Sequence, residues 1–199
     1  MQECEPINPI AATKAELRRS MQALRDALPA ANRVAAAEAL AARGLPVPVP
    51  EGTVVSAYSP LKSEISPVPL MRRLADVGAK LALPVVVARG KPLVMRAFAF
   101  GDVLGSGVWG IREPKPEAPE VYPDILLVPL LAFDRAGFRL GYGAGHYDVT
   151  IARLRAMKPI WTIGVAFAAQ EVPEVPRERH DEKLDFVLTE SEVIDLRGR

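Results

Sequence analysis

Cysteine and histidine are scarce in this sequence. Among 199 residues there is one cysteine, Cys4, and there are two histidines, His146 and His180. A single cysteine cannot form a disulfide within the chain, which fits a reducing compartment. Neither histidine lies in a recognised motif with a serine or cysteine nucleophile, and each is better explained as a loop or cap residue. The composition therefore gives no indication of covalent catalysis.

Long apolar runs and an excess of charge are also missing. No apolar stretch approaches the roughly 18 residues that a membrane span requires. The first ten residues, MQECEPINPI, contain two acids and no apolar core, unlike a signal peptide. The net charge is +1, and the basic residues are scattered rather than clustered. We therefore expect a cytoplasmic protein that binds neither membranes nor nucleic acid.

The amino-terminal quarter is predicted to be helical. Residues 1–12 are interpreted as a disordered leader. Thr13 and Glu16 have the spacing of a capping box, and apolar residues then recur at helical spacing, with Arg25 among the residues on the polar faces. An alanine-rich stretch follows Pro29 and ends at Gly44. Residues 13–44 are thus predicted to form two helices, and the proline-rich residues 45–50 to link them to an α/β body over residues 51–190. Together, residues 13–199 are expected to form a single domain.

Strands alternate with helices in the predicted body. Strands are expected at 53–58, 80–87, 93–100, 125–131, 160–167 and 186–189, and helices at 67–77 and 146–157. Pro84 indicates a bulge or an edge strand. This alternation predicts a three-layer α/β/α fold around a mainly parallel sheet. The segments 59–66, 101–123, 132–148 and 167–185 follow strands, so we expect them to meet at the carboxyl edge, where such sheets bind ligands.

The most informative segment is residues 133–148, FDRAGFRLGYGAGHYD, between a buried strand and a helix. Its glycines allow the backbone to approach a ligand closely, and a helix start favours an anion. Arg139 can add a charged fork for phosphate, and Asp148 can cap the helix or bind Mg²⁺. The segment matches neither the dinucleotide-binding glycine pattern nor a P-loop. A tight turn without a ligand remains the alternative.

Several other residues have two possible interpretations. Lys14 and Arg18 share a helix face, which is either solvated or directed at phosphates. Glu64 is either a surface residue or a carboxylate for an aminopyrimidine ring. Trp109, in the long connection 101–123, is either a core residue or a stacking wall for a flat ligand.

With these residues assembled, the sequence resembles the 5-formyltetrahydrofolate cyclo-ligase family. The strongest match is residues 126–148, LLVPLLAFDRAGFRLGYGAGHYD. Weaker matches run in order along nearly the whole chain. They are Lys14-x-x-Leu17-Arg18, Tyr58-x-Pro-Leu-x-Ser-Glu64-Ile65, Trp109-Gly-Ile-x-x-Pro114, Gly164-Val-Ala-Phe167-x-x-Gln170 and His180-Asp181-x-x-Leu184-Asp185.

The resemblance implies a fold similar to the NagB, RpiA and CoA-transferase proteins, with added amino-terminal helices. It also implies that 5-formyltetrahydrofolate is converted to 5,10-methenyltetrahydrofolate, with ATP as co-substrate and Mg²⁺ as cofactor. ATP phosphorylates the formyl oxygen and N10 attacks the formyl carbon, giving ADP and phosphate. We expect a monomer whose partners are these small molecules.

The resemblance further assigns roles to individual residues. Arg139 and Lys14 are expected to act in catalysis, and Asp148 to bind Mg²⁺ with help from the acids in 178–181. The residues expected to bind ATP are Lys14, Arg18, Arg139, Leu140, Gly141, Tyr142, Gly143, Ala144, Gly145, His146 and Tyr147. Those expected to bind or wall the folate are Arg18, Leu61, Glu64, Trp109, Tyr142 and His146.

The sequence departs from the family pattern at three places. Ser66 and Pro67 replace an acid and a threonine, which puts a second folate-binding carboxylate in doubt. His146 stands where an aromatic residue is usual, and Ala144 where glycine or lysine is common. Two other functions stay open: a sugar-phosphate or CoA-type enzyme on a related scaffold, and a non-catalytic nucleotide- or RNA-binding module.

Overall fold

The computed structural model describes residues 9–198, apart from the side chain of Trp109. Four helices and eleven strands are present in this range. The helices are α1 (Pro9–Asp26), α2 (Ala30–Arg43), α3 (Val68–Asp76) and α4 (His146–Met157). The strands are β1 (Val54–Ser56), β2 (Lys80–Val85), β3 (Val94–Phe98), β4 (Gly105–Ser106), β5 (Arg112–Glu113), β6 (Ile125–Pro129), β7 (Ala132–Phe133), β8 (Arg139–Leu140), β9 (Trp161–Val165), β10 (Phe186–Leu188) and β11 (Val193–Asp195).

Seven of these strands form one sheet in the order β11-β10-β9-β6-β1-β2-β3. The five inner strands run parallel, and the two outermost strands, β11 and β3, pair antiparallel with their neighbours. The mainly parallel sheet that the alternation predicted is therefore confirmed. Across the described range, no helix has both the length and the apolar character needed to cross a membrane.

Helices cover both faces of the sheet. In β6, Ile125 and Leu127 point into a core that α2 and α3 close, whereas Leu126 and Val128 point into a second core that α4 closes with Ile151. Every residue of the run 125–128 is buried because both faces of this central strand are covered. The predicted three-layer α/β/α architecture is confirmed.

Helix α1 lies at the carboxyl end of the sheet instead of on a face. Its Met21 packs in a third apolar cluster with Leu131, Leu140 and Val175, which follow strand β6 and line the hairpin β7–β8. This position brings one face of α1 to the edge where ligands bind in parallel sheets.

The predicted start of α1 was wrong. The helix begins at Pro9, so residues 9–12 belong to it and not to a disordered leader, while residues 1–8 lie outside the described range. Proline suits the first turn of a helix because the N–H that it lacks would have no partner there. Thr13 is accordingly not a cap, and its hydroxyl donates to the Pro9 carbonyl inside the helix.

Strand β11 of the main sheet and the two small hairpins, β4–β5 and β7–β8, were not predicted. Both hairpins lie within segments that were interpreted as loops. Pro84 does not mark an edge strand, because β2 pairs with both β1 and β3. Pro84 lies beyond the last β1 partner and pairs only with Met95 of β3. A missing N–H on the unpaired side therefore breaks no ladder bond.

Candidate active site

The glycine segment begins with a rigid hairpin. The carboxylate of Asp134 accepts hydrogen bonds from the amides of Ala136 and Phe138 through one oxygen, and from Val175 through the other. Gly137 turns the chain with a φ of 95°. This turn directs β8 back along β7 and delivers Arg139 to the carboxyl edge of the sheet.

The loop from β8 into α4 depends on two glycines in the left-handed region. Gly143 has a φ of 100° and Gly145, directly before α4, has a φ of 68°. The guanidinium of Arg18 lies over Gly143, where a Cβ would stand 3.3 Å from its central carbon. Arg18 also donates from Nε to the Gly141 carbonyl at 2.9 Å. The loop is thus an exposed turn at a helix start, with a cation from α1 against it.

Arg139, in β8 before this loop, and Asp148, in the first turn of α4 after it, form an ion pair. Nη2 of Arg139 lies 2.7 Å from Oδ1 of Asp148, and Nη1 donates to the Glu182 carbonyl at 2.6 Å. The amide of Glu182 in turn donates to Asp148 Oδ1 at 3.0 Å. The side chain of Arg139 is 4% exposed and that of Asp148 is 19% exposed. Both groups are therefore held in place, with Asp148 open to solvent on one side.

Lys14 of α1 lies between two carboxylates from the opposite end of the chain. Its Nζ is 2.7 Å from Asp181 and 2.9 Å from Glu178. Burial of the ammonium lowers its pKa, but the hydrogen bonds and charges of Asp181 and Glu178 outweigh this, so the pKa is raised. Lys14 is therefore fully protonated at neutral pH. It is held beside the segment 178–182, in which Glu182 contacts Arg139.

The segment 59–66 supplies a buried carboxylate. Oε2 of Glu64 accepts from the Leu61 amide at 2.7 Å. Leu61 also lines a cavity of about 250 Å³ whose other walls include Tyr58, Met71 and Ile111. The backbone of Trp109 lies in a short 3₁₀ turn directly before Ile111; its side chain is outside the described part of the structure. The segment 59–66 thus carries a buried carboxylate and also forms part of a largely apolar cavity wall.

One guanidinium joins the glycine loop to the segment 59–66. Nη2 of Arg25 donates to the Tyr142 hydroxyl at 2.6 Å, and Nε donates to the hydroxyl of Ser63, the residue before Glu64, at 3.1 Å. Desolvation by burial raises the pKa of Glu64, although the Leu61 amide, the Tyr142 hydroxyl and the Arg25 charge oppose the shift. The glycine loop and the segment 59–66 are therefore joined through Arg25.

His146 is directed away from the loop. Its imidazole is buried, and Nδ1 lies 3.1 Å from the Lys91 carbonyl. The first turn of α4 is closed by the Thr150 hydroxyl, which donates to the His146 carbonyl at 2.6 Å. A role for the imidazole in binding either substrate stays a prediction.

Two residues at this edge were not predicted. Arg25 was assigned to a polar face of α1, yet it is buried against Tyr142 and Ser63. The backbone of Glu182 contacts both Arg139 and Asp148, and backbone contacts leave no pattern in the sequence. Three segments, α1, 59–66 and 133–148, bring the predicted site residues to one edge of the sheet. His146 is the exception, and the side chain of Trp109 is not described.

Comparisons with known proteins bear on this arrangement. Residues 10–190 match the model of the 5-formyltetrahydrofolate cyclo-ligase family. The 5-formyltetrahydrofolate cyclo-ligase of Mycolicibacterium smegmatis is 36% identical over 186 residues, covering 89% of this chain and 93% of that protein. The Escherichia coli K12 cyclo-ligase is 32% identical over 152 residues, covering 73% of this chain and 82% of that protein.

Solved structures show the same fold. The 5,10-methenyltetrahydrofolate synthetase of Aquifex aeolicus superposes with a TM-score of 0.76 at 32% identity, covering 94% of each chain. The enzyme of that name from Mycoplasma pneumoniae superposes with a TM-score of 0.72 at 20% identity, covering 89% of this chain and 98% of that one, a likeness that bears on fold alone.

Proposed function

Because the chain belongs to the 5-formyltetrahydrofolate cyclo-ligase family, we propose that it converts 5-formyltetrahydrofolate to 5,10-methenyltetrahydrofolate with ATP as co-substrate. The observation that carries the proposal is the Arg25 guanidinium, which donates both to Tyr142 of the glycine loop and to Ser63, the residue before Glu64. It joins a loop suited to phosphates to a segment that carries a buried carboxylate and lines a cavity through Leu61. A reaction between two substrates needs two such half-sites in contact.

The phosphate half-site consists of the loop 141–147 with cations on two sides. Arg139 comes from β8 below the loop, and Lys14 and Arg18 come from α1. Positive charge that is already in place stabilises a transferring phosphoryl group without reorganisation at the moment of reaction. The exposed glycines leave room above the backbone, because a Cβ at Gly141 or Gly145 would meet no atom within 4 Å.

The carboxylates at this edge fit a magnesium ion. Asp148, Glu178 and Asp181 each hold a cationic side chain, either Arg139 or Lys14, so this edge already attracts positive charge. Mg²⁺ takes one or two carboxylates and completes its shell with water and phosphate oxygens. We assign Asp148 as the carboxylate that holds the ion, with Glu178 or Asp181 contacting it through water. The ion would neutralise phosphate charge and orient the terminal phosphoryl group.

The proposed folate half-site consists of Glu64 and of the cavity that Leu61, Gly110 and Ile111 line, and Trp109 stays a predicted wall for the ring. A carboxylate accepts two adjacent N–H groups of an aminopyrimidine ring, and the apolar wall of the cavity covers the ring faces. With the ring bound in this way, we expect the formyl group of the substrate to lie on the side of Tyr142, toward the phosphate half-site.

The reaction balances without a protein nucleophile. The formyl oxygen attacks the terminal phosphorus of ATP, and ADP leaves. N10 then attacks the formyl carbon and loses its proton, and the carbon–oxygen bond breaks as phosphate leaves. The protein's part is to orient the two substrates and to hold cations near the phosphoryl oxygens.

The direct test is turnover. Purified protein with Mg²⁺, ATP and 5-formyltetrahydrofolate should form the methenyl product, which is followed by its near-ultraviolet absorbance. A folded protein that gives no product at any pH would refute the proposal. Turnover of sugar phosphates or CoA esters without ATP would favour the alternative enzyme class, and an RNA gel shift at physiological salt would favour a binding module.

Arg139 is the first residue to test. Arg139→Lys keeps the positive charge but loses the planar fork that contacts both Asp148 and Glu182, so kcat should fall at least about a hundredfold. Arg153→Lys, on the exposed face of α4, is the matched control and should turn over as the wild type does. Circular dichroism of both variants checks that the fold is unchanged. Wild-type turnover in Arg139→Lys would remove Arg139 from the mechanism.

We further propose that the protein acts as a monomer in the cytoplasm. The support is its single cysteine and a site built from one chain. Sedimentation at working concentration tests the first statement, since a dimer would sediment at twice the mass.

A further inference from the structure

Arg25 has an environment that a structural core residue would not have. It is 1% exposed, the lowest exposure of any charged residue among those described as buried. Its Nε donates to the Ser63 hydroxyl at 3.1 Å and its Nη2 to Tyr142 at 2.6 Å. Nη1 is buried and has no hydrogen-bond partner within the described range. A guanidinium is thus fully enclosed with only part of its donors satisfied.

The two partners of Arg25 belong to the two half-sites. Ser63 precedes Glu64 in the folate segment, and its hydroxyl also hydrogen-bonds to Asp26 of α1. Tyr142 belongs to the glycine loop, and its hydroxyl accepts from Arg25. The guanidinium carbon lies 5.7 Å from the Tyr142 ring centroid. One side chain from α1 therefore joins the loop for phosphates to the segment that carries the carboxylate for the folate.

This arrangement is unfavourable for stability alone. A buried cation loses its hydration, and an N–H left without a partner adds to that cost. Apolar side chains of similar volume often replace buried charges at no loss of stability. Such local conflicts mark positions where function, and not packing, sets the residue.

We propose that Arg25 is a positioning residue that couples the binding of the two substrates. The inference rests on the proposed function. Tyr142 is 45% exposed, so packing encloses its ring only in part. A nucleotide that orders the glycine loop holds Tyr142 against Arg25 and thereby fixes Ser63 and Glu64 for the folate. By thermodynamic reciprocity, the folate tightens the nucleotide by the same factor.

The test measures this factor by calorimetry. The dissociation constant of 5-formyltetrahydrofolate is determined with and without a magnesium complex of an ATP analogue that has an imido bridge between the β and γ phosphates. In the wild type the analogue should tighten folate binding at least about fivefold, and the reverse titration should give the same factor. In Arg25→Gln and in Tyr142→Phe the factor should fall to about one, whatever the affinity of each ligand alone. Arg19→Gln, exposed on the same helix, should keep the wild-type factor.

Thermal unfolding separates this role from a structural one. The melting temperature of Arg25→Gln should stay within about 4 °C of the wild type, because the substitution removes a buried charge with an unpaired donor. If Arg25→Gln does not fold, Tyr142→Phe decides, since it leaves Arg25 in place. A wild-type coupling factor in the folded variants would overturn the inference. So would a wild type that turns over and binds both ligands independently. A wild type that neither binds nor converts 5-formyltetrahydrofolate would instead refute the proposed function.

Discussion

Glu64 is a buried carboxylate whose surroundings favour its neutral form. Desolvation raises its pKa above the ordinary value of 4.5, despite the donors from Leu61 and Tyr142. The folded state therefore binds the proton more tightly than the unfolded state does. The stability that this provides is fully present below pH 4.5 and is lost as the pH rises through the raised pKa. Above the raised pKa, the ionised Glu64 thus destabilises the fold, while the proposed function needs its charge.

Glu64→Gln should consequently separate stability from activity. At pH 7 the variant should melt at a higher temperature than the wild type, and the difference should disappear below about pH 4.5. Its KM for 5-formyltetrahydrofolate should rise about tenfold or more, because a charged hydrogen-bond acceptor is lost. Calorimetric melts at both pH values and steady-state kinetics check this. Glu16→Gln, exposed on α1, serves as the control and should change neither quantity. A lower melting temperature for Glu64→Gln at pH 7 would contradict the assigned environment.

Some residues of the candidate site could be predicted from the sequence, and others could not. Arg139 and Asp148 flank a glycine pattern, and the segment carrying Glu64 follows a strand, so local pattern was sufficient to bring them to one edge. Arg25 could not be found in this way. Helical periodicity sorts residues into apolar and polar faces, and it assigned Arg25 to a polar one. The helix buries that face as well, because the segments 59–66 and 141–145 cover it.

Helix α1 is the element on which the site depends most. It carries Lys14, Arg18 and Arg25, and an apolar contact at Met21 holds it to the hairpin β7–β8. Met21 is 6% exposed among Leu131, Leu140 and Val175.

Met21→Ala should therefore weaken both the fold and the site. Removing a buried methionine costs about 2 kcal/mol, which lowers the melting temperature by about 4–8 °C. ATP should bind less tightly, because Lys14 and Arg18, which are proposed to contact its phosphates, are on the same helix. Leu24→Ala, at a position that is 38% exposed, should leave both quantities near their wild-type values. Differential scanning calorimetry and nucleotide titration measure the two effects. An unchanged affinity for ATP in Met21→Ala would indicate that α1 does not hold the nucleotide.

Elements with a clear apolar pattern were predicted well, and strands of two residues were not. Helix α4 was predicted with the bounds that it has, and six of the seven strands of the main sheet were found. The hairpin β7–β8 has strands of two residues, too short to show alternation. The start of α1 was missed because polar and apolar residues do not alternate regularly before Thr13. The signal available there was Pro9, because proline is favoured in the first turn of a helix.

At the scale of the whole molecule, the amino-terminal helices belong to the same core as the sheet. Ala37 and Leu40 of α2 are buried in the cluster that contains Val55, Ile125 and Leu188. Arg43, at the end of α2, also donates to the carbonyls of Glu190 and Ser191 near the carboxyl terminus. The proline-rich segment 45–50, where the composition changes, thus connects two parts of one core.

A fragment of residues 51–199 should therefore not fold by itself. Without α2, the part of the sheet face that α2 covers is exposed to water beside α3. The stabilisation lost in this way exceeds the marginal stability of an ordinary domain. We expect the fragment to lack a cooperative thermal transition by circular dichroism, whereas the full chain melts in one. Mixing the fragment with a peptide of residues 9–44 should restore part of the transition, because the helices then reoccupy their places on the sheet. A cooperative melt of the fragment alone, near the temperature of the full chain, would show instead that the body folds independently and that α1 and α2 are additions to it.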